Sequence, residues 1–362
     1  MSELYIGVMS GTSLDGIDIS LCEIDDSRCK ELHSAYYRYD AKIKEDVLKS
    51  IVSCVRLKSI GELNHALGRS YATAIQKFLT TNSLASSSIK AIGLHGQTLW
   101  HEPNSDTPFS MQLGDASLVS KLVGIDVVSD FRSADIAVGG QGAPLTPAFH
   151  KFMFDDAKRK TAVLNLGGIA NITLLDDKLL GYDVGPANIL LDAWIQKIKN
   201  KKYDSRGKWA KKGQVNEELL EVFLDEPYFK KPYPKTTGRE LFNLDWLEEK
   251  LYGCMLIDVD VQATLVELGV ISITNELKRF TIEELIVCGG GAKNDFFIKR
   301  LEESLPNVNV VLSDAKGVSG DSLEAMAFAW FAKKRVHNEV LDLKDVTGAS
   351  KNTLLGAIYA SD

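Results

Sequence analysis

The stretch Gly11-Thr12-Ser13-Leu14-Asp15-Gly16-Ile17-Asp18 places two glycines, two hydroxyls and two acids between apolar runs. Glycines at 11 and 16 admit positive φ and let backbone N–H groups approach an anion. Ser10, Thr12 and Ser13 add hydroxyl donors, while Asp15 and Asp18 are oxygen ligands of the kind that hold a metal ion or its water. Phosphate binding fits this set; an ordinary glycine-rich hairpin turn fits it too. A Walker loop does not, because no Lys follows the glycines and no helix opens there. His95 and Gln97 lie just beyond an apolar run, placed to bond either a ligand or their own loop. The spacing of His95 and His101 matches no regular zinc pattern. Arg132 offers a planar fork for a carboxylate or phosphate, and Asp135 is either a neighbour in that site or its salt-bridge partner.

Four more places carry candidate chemistry. Gly167-Gly168 forms a second glycine turn between apolar runs. Asp183 ends a short strand, either as a carboxylate facing a cleft or as a helix N-cap, and Pro186 with Asn188 fits a helix start presenting N–H groups. Gly289-Gly290-Gly291, followed by Asn294, sits at a strand-to-helix turn where a ligand can lie against backbone. Glu324 is the carboxylate in the apolar middle of 320–334 and faces a cleft or a partner.

The elements that must position these residues follow from periodicity. Runs at 4–8, 17–24 and 31–40 read as three antiparallel strands, then 41–54 and 59–79 as helices, then 89–94 as a parallel strand. Short strands at 111–113 and 123–129 precede a long polar connection over 130–145. The runs 162–171 and 172–175 form a second strand–glycine turn–strand hairpin, which suggests a duplicated fold although the two hairpins share little sequence. Helices are expected at 216–224, 258–278, 295–304 and 320–334, the last packed between domains, with strands at 285–288 and 308–312.

The chain has 362 residues, more than one core usually fills, so two domains are expected. Its net charge of −7 argues against nucleic acid as a partner. Five scattered cysteines without a C-x-x-C pair suit reduced thiols in a cytosol. The N-terminus enters a strand without a basic leader, and no apolar run approaches a membrane span. The expectation is a soluble, cytoplasmic protein acting on small molecules, with a homodimer left open.

Taken in order, the Gly11–Asp18 stretch, His95-Gly96-Gln97-Thr98, Asp130-Phe131-Arg132 with 139–145, Asn165-Leu166-Gly167-Gly168-Ile169-Ala170-Asn171 and Cys288-Gly289-Gly290-Gly291-Ala292-Lys293-Asn294 resemble the anhydro-N-acetylmuramic acid kinase family across essentially the whole chain. The resemblance implies an α/β, two-lobed actin-like (ribonuclease H-like) ATPase fold around a central cleft. It implies an enzyme using ATP and Mg²⁺ that hydrolyses the anhydro bridge and phosphorylates the 6-oxygen, giving N-acetylmuramic acid 6-phosphate in cell-wall recycling. Through it Asp183 becomes the base that activates water, and Arg132 and Glu324 become sugar contacts, joined by His95, Gln97 and Asp135. Gly11, Thr12, Ser13, Leu14, Asp15, Gly16, Ile17 and Asp18 become the phosphate loop, with Asp15 toward the metal. Gly167 and Gly168 become the second phosphate hairpin, and Gly289, Gly290, Gly291 and Asn294 lie by the adenosine. The family has Asp-Thr-Gly-Pro-Gly-Asn around its base, where this chain has Val184 and Ala187, which puts the local hydrogen bonding and loop shape in question. Residues 1–131 with 340–362 are expected as one lobe and 132–339 as the other. A levoglucosan-type anhydrosugar kinase and an actin/Hsp70-like ATPase switch are the rival readings.

Overall fold

Tyr5, Ile6, Gly7 and Val8 are buried in succession, so the strand they form is covered on both faces and must be central to its sheet. The computed structural model describes residues 1–362 apart from Thr12, Ser13, Asp15, Ala157, Lys158 and Asp177. Strand β1 (Glu3–Met9) pairs antiparallel with β2 (Gly16–Ile24), and β2 with β3 (Cys29–Arg38). On the other side of β1 lies β4 (Ala91–Leu94), parallel to it. β5 (Gln97–Glu102) and β6 (Phe109–Leu113) make a separate hairpin, and β7 (Val127–Ser129) extends the main sheet parallel to β4.

The second half repeats this plan. β8 (Thr161–Leu166), β9 (Ile169–Leu175) and β10 (Leu180–Pro186) form an antiparallel meander. β11 (Glu284–Cys288) then runs parallel to β8, and β12 (Asn309–Leu312) parallel to β11. The chain ends with β13 (Ala357–Tyr359), antiparallel to β7 at the edge of the first sheet. The two sheets therefore run 13-7-4-1-2-3 and 10-9-8-11-12. With β13 set aside, each is a three-strand meander followed by two parallel strands. The duplication that the sequence only hinted at is plain in the topology, and it is the α/β plan expected.

The chain divides into two compact units, Met1–Met153 with Ser322–Asp362, and Phe154–Asp321. The expected divisions at 131/132 and 339/340 fall instead after Met153 and after Asp321, the second because the helix Leu323–Val336 belongs to the first unit. Expected between domains, it lies on β1 and β4, where two strand glycines admit its backbone. A Cβ on Gly7 would come 1.7 Å from the Ala325 carbonyl oxygen, and one on Gly93 would come 1.9 Å from that of Phe328. Gly7→Ala must lift this helix off the sheet. It is expected to cost about 1–3 kcal/mol or more, lowering the melting temperature by several degrees in a thermal scan. An unchanged transition would mean the helix is not seated on these glycines. Among the described residues, no helix is long and apolar enough to cross a membrane.

Candidate functional site

In the first unit, the β1–β2 ladder closes at Met9 opposite Asp18. Thr12, Ser13 and Asp15, the hydroxyl and metal candidates of this tip, lie outside the described residues. The described ones revise two expectations. Leu14, not Gly16, takes the left-handed conformation, at φ 57°. Gly16 is required instead by close approach, since a Cβ there would meet the Tyr37 carbonyl oxygen at 2.2 Å. Leu14 and Ile17 are each 1% exposed and serve the core rather than a ligand. Gln97, fully buried, donates from Nε2 to the Gly11 carbonyl (3.3 Å) and accepts from the Tyr39 hydroxyl (3.3 Å). Its observed work is to hold the tip, not to meet a substrate.

His95 and Arg132, separate candidates in the sequence, come together. Arg132 Nη2 lies 2.9 Å from His95 Nε2, and Nη1 donates to the Gly142 carbonyl at 2.7 Å. Burial pushes Arg132 down to about 10, with Glu324 pulling the other way, so the guanidinium stays charged at neutral pH. Glu324 acts from the first turn of the helix Leu323–Val336. Burial, and then the charge of Arg132, push His95 down to about 3; the ring is neutral and its Nε2 accepts. Arg132 Nε is buried and bonds no described residue, which leaves one charged donor free for an acceptor. A buried donor with no partner is costly, so a polar ligand oxygen is the natural complement.

Asp135 departs from its expected place in the sugar site. It is 2% exposed, and its two oxygens accept from the Gly142 N–H (2.7 Å) and the Thr347 hydroxyl (2.8 Å). It shapes the loop that Arg132 grips at Gly142, holding the site from behind.

In the second unit, Gly167 and Gly168 form the β8–β9 turn. The N–H groups of Ala187 and Ile189 donate to the Gly168 carbonyl, and those of Asn188, backbone and side chain, to the Gly167 carbonyl. The start of the helix Asn188–Lys199 is thus spent on the turn rather than presented to a ligand, as had been expected of Pro186 and Asn188. Neither glycine has positive φ; a Cβ on Gly167 would lie a tight 3.3 Å from the Ile169 carbonyl oxygen, whereas one on Gly168 would meet nothing closer than 3.6 Å, so the fold does not itself demand glycine at 168.

The three-glycine run separates in a similar way. Gly289 has φ 82°, and its Cβ would strike Asn165 Oδ1 at 2.2 Å; one on Gly291 would strike Leu166 Cβ at 2.7 Å. Those two serve folding. Gly290 has open space and ordinary φ, so it alone of the three is free to be read as a ligand contact. Asn294 caps the helix Asp295–Ser304, with Oδ1 accepting from the Phe297 N–H at 3.1 Å. That capping role accounts for Asn294 within the fold itself. Ser313, which the sequence did not single out, is fully buried with an Oγ that bonds no described residue. A Cβ on Gly320 would sit 3.2 Å from that Oγ and 3.4 Å from the Gly289 nitrogen, so glycine there keeps the corner open.

Asp183 lies on β10, where the ladder to β9 is irregular between Asp183 and Gly185. It is no helix cap. Oδ2 accepts from the Thr236 hydroxyl (2.9 Å) and the Thr237 N–H (3.1 Å), and Oδ1 accepts from no described residue. Burial pushes the carboxyl up to about 6; the Thr237 and Thr236 donors oppose that rise, and Glu240 adds to it. The group is charged at neutral pH, yet basic enough to take a proton. Val184 turns into the apolar core, fully buried, so the hydroxyl that serves Asp183 is supplied by Thr236. Ala187 fits without strain of the left-handed kind, at φ −119°.

The loop that brings Thr236 and Thr237 to Asp183 is fixed by buried charge. Lys235 Nζ meets Glu276 Oε1 at 2.6 Å with both side chains buried, and Glu276 also accepts from Tyr182 (3.1 Å) and Arg279 (2.9 Å). Burial opposes the Glu276 charge, but Lys235, Arg279 and Tyr182 more than offset it and hold its carboxyl below the usual range. Among the described residues, no three His, Cys, Asp or Glu side chains are grouped to hold a metal.

The sequence profile described as "Anhydro-N-acetylmuramic acid kinase" matches residues 3–361. A curated protein of that name from Sulfurimonas denitrificans is 53% identical, covering 99% of this chain and all of its own length. Counterparts of the same name from Sulfurovum sp. and Aliivibrio fischeri are 48% and 46% identical, each covering 99% of this chain and 99% and 100% of their own. With the repeated sheet plan and an elevated carboxylate at 183 already in place, these matches settle the affiliation: the chain belongs to the anhydro-N-acetylmuramic acid kinase family.

Proposed function

We propose that this enzyme opens 1,6-anhydro-N-acetylmuramic acid with water and transfers the γ-phosphoryl group of ATP to O6, giving N-acetylmuramic acid 6-phosphate. The setting is cytoplasmic recycling of cell-wall peptidoglycan. The observation that carries this reading is Asp183, a half-buried carboxylate raised to about 6 with one oxygen uncommitted. Oδ1 takes a proton from water as the water oxygen bonds to the anomeric carbon. The bond from that carbon to O6 breaks, and O6 attacks the γ-phosphorus as its bond to the bridging oxygen breaks and ADP leaves. Arg132, with Nε unpartnered, binds an acidic or carbonyl oxygen of the sugar, and the lactyl carboxylate is the acceptor that distinguishes a muramic sugar. Glu324 accepts from sugar hydroxyls and keeps Arg132 charged.

Backbone around Gly167-Gly168 and Gly290, with the Ser313 hydroxyl, is assigned to ATP. At Gly168 and Gly290 the glycine, and at Ser313 the unsatisfied hydroxyl, has no reason internal to the fold. Bound Mg²⁺ neutralises phosphate charge, and Asp18 is the described acid of the β1–β2 tip that fits it. The test is ADP release across a panel of anhydrosugars, with product mass measured. The muramic sugar is expected to be the best substrate and to gain water plus one phosphoryl group. Preference for levoglucosan, or ADP release without sugar, overturns the assignment.

A further inference from the structure

We propose that Thr236 is a positioning residue for the water-activating step: its hydroxyl pins Oδ2 of Asp183, so that Oδ1 is the oxygen presented as base. The proposal rests on the assignment of Asp183 as the base. Its own ground is geometric. Thr236 Oγ1 and the Thr237 N–H converge on the same oxygen, at 2.9 and 3.1 Å. Two donors on one carboxylate oxygen fix both the plane of the group and which lone pairs remain for water.

The loop that carries them is not free to drift. The Lys235 carbonyl accepts from the Asp183 N–H (3.0 Å), and the Tyr228 hydroxyl donates to the Asp183 carbonyl (2.7 Å). Lys235 is further tied to Glu276 at 2.6 Å and to the Phe229 carbonyl at 3.3 Å. Backbone and buried charge thus set the loop in place without help from the 236 side chain. Thr236 itself is exposed, so packing does not explain a hydroxyl there. Among the described residues the hydroxyl bonds to Asp183 alone.

Other charges around the carboxylate leave this contact decisive for its orientation. Glu240 on the same loop repels it, and Arg239 precedes Glu240. Lys235, Glu276 and Arg279 are paired among themselves, with Tyr182, Tyr228 and Tyr233 packed beside them. A donor to an ionised carboxylate favours its charged form, so losing the Thr236 hydroxyl moves Asp183 further up.

The experiment compares kcat and kcat/KM against pH for the wild type, Thr236→Val, Thr236→Ser and Asp183→Asn, using the anhydro-muramic sugar and saturating ATP. Thr236→Val is expected to shift the acid limb upward by roughly one pH unit, a tenfold loss below the limb that largely recovers at high pH. Sugar KM should stay within about twofold, and Thr236→Ser should restore the wild-type limb. A Thr236→Val profile that superimposes on the wild type, or a loss equal at every pH, overturns the proposal while Asp183→Asn remains inactive. Retained activity in Asp183→Asn overturns the base assignment and this proposal with it, so the two failures read differently.

Discussion

Asp183→Asn is expected to lower kcat for sugar phosphorylation by about 10²–10⁴-fold, the range for losing a positioned base, with ATP affinity within about twofold. The amide keeps the shape and can still accept from Thr236 and the Thr237 N–H, so the loop should stay in place. Folding should not suffer. A carboxyl raised from 3.8 to about 6 opposes folding whenever it is charged, and that opposition is relieved as pH falls through about 6. The variant should therefore melt at or above the wild-type temperature near pH 7.5. The same shift fixes the wild-type profile: kcat/KM should rise through about pH 6 and level off above it, because only the ionised form accepts a proton. Weak ATP binding with turnover preserved would remove Asp183 from the chemistry, as would an acid limb near pH 4.

Arg132→Ala is expected to raise the sugar KM by about 10–100-fold, the equivalent of one charge-assisted hydrogen bond, while the ATP KM stays within about twofold. The variant also leaves His95 Nε2 and the Gly142 carbonyl without their donor, so some loss of thermal stability should accompany it. Arg132→Lys keeps the charge but not the fork. It should recover part of the stability and little of the sugar affinity. Equal rises in both KM values, or an unchanged sugar KM, would place Arg132 in a purely structural role. His95 offers a consistency check: at about 3 it is neutral throughout the working range, so no limb near its ordinary value of 6.5 should appear.

The amino-acid sequence by itself determined the strands, most helices and the places where chemistry gathers, because those depend on near neighbours. Alternation from Ile17 to Ile24, the apolar run 285–288 and the glycine turns at 167–168 and 289–291 each report local backbone preference. The pairing of Arg132 with His95 was within reach, since each follows one of two neighbouring strands that run parallel. What the sequence left open was which partner a polar side chain would choose. Asn294 went to its own helix and Asp135 to Gly142 through short-range bonds that compete with a ligand, whereas Asp135 met Thr347 and Gln97 met Gly11 only because chain closure brought distant residues together. Tertiary structure alone assigned the helix Leu323–Val336 to the first unit, because Gly7 and Gly93 matter only once a helix presses on them. It also revealed that Thr236, 53 residues beyond Asp183, orients that carboxylate, a relation that exists only through the folded loop.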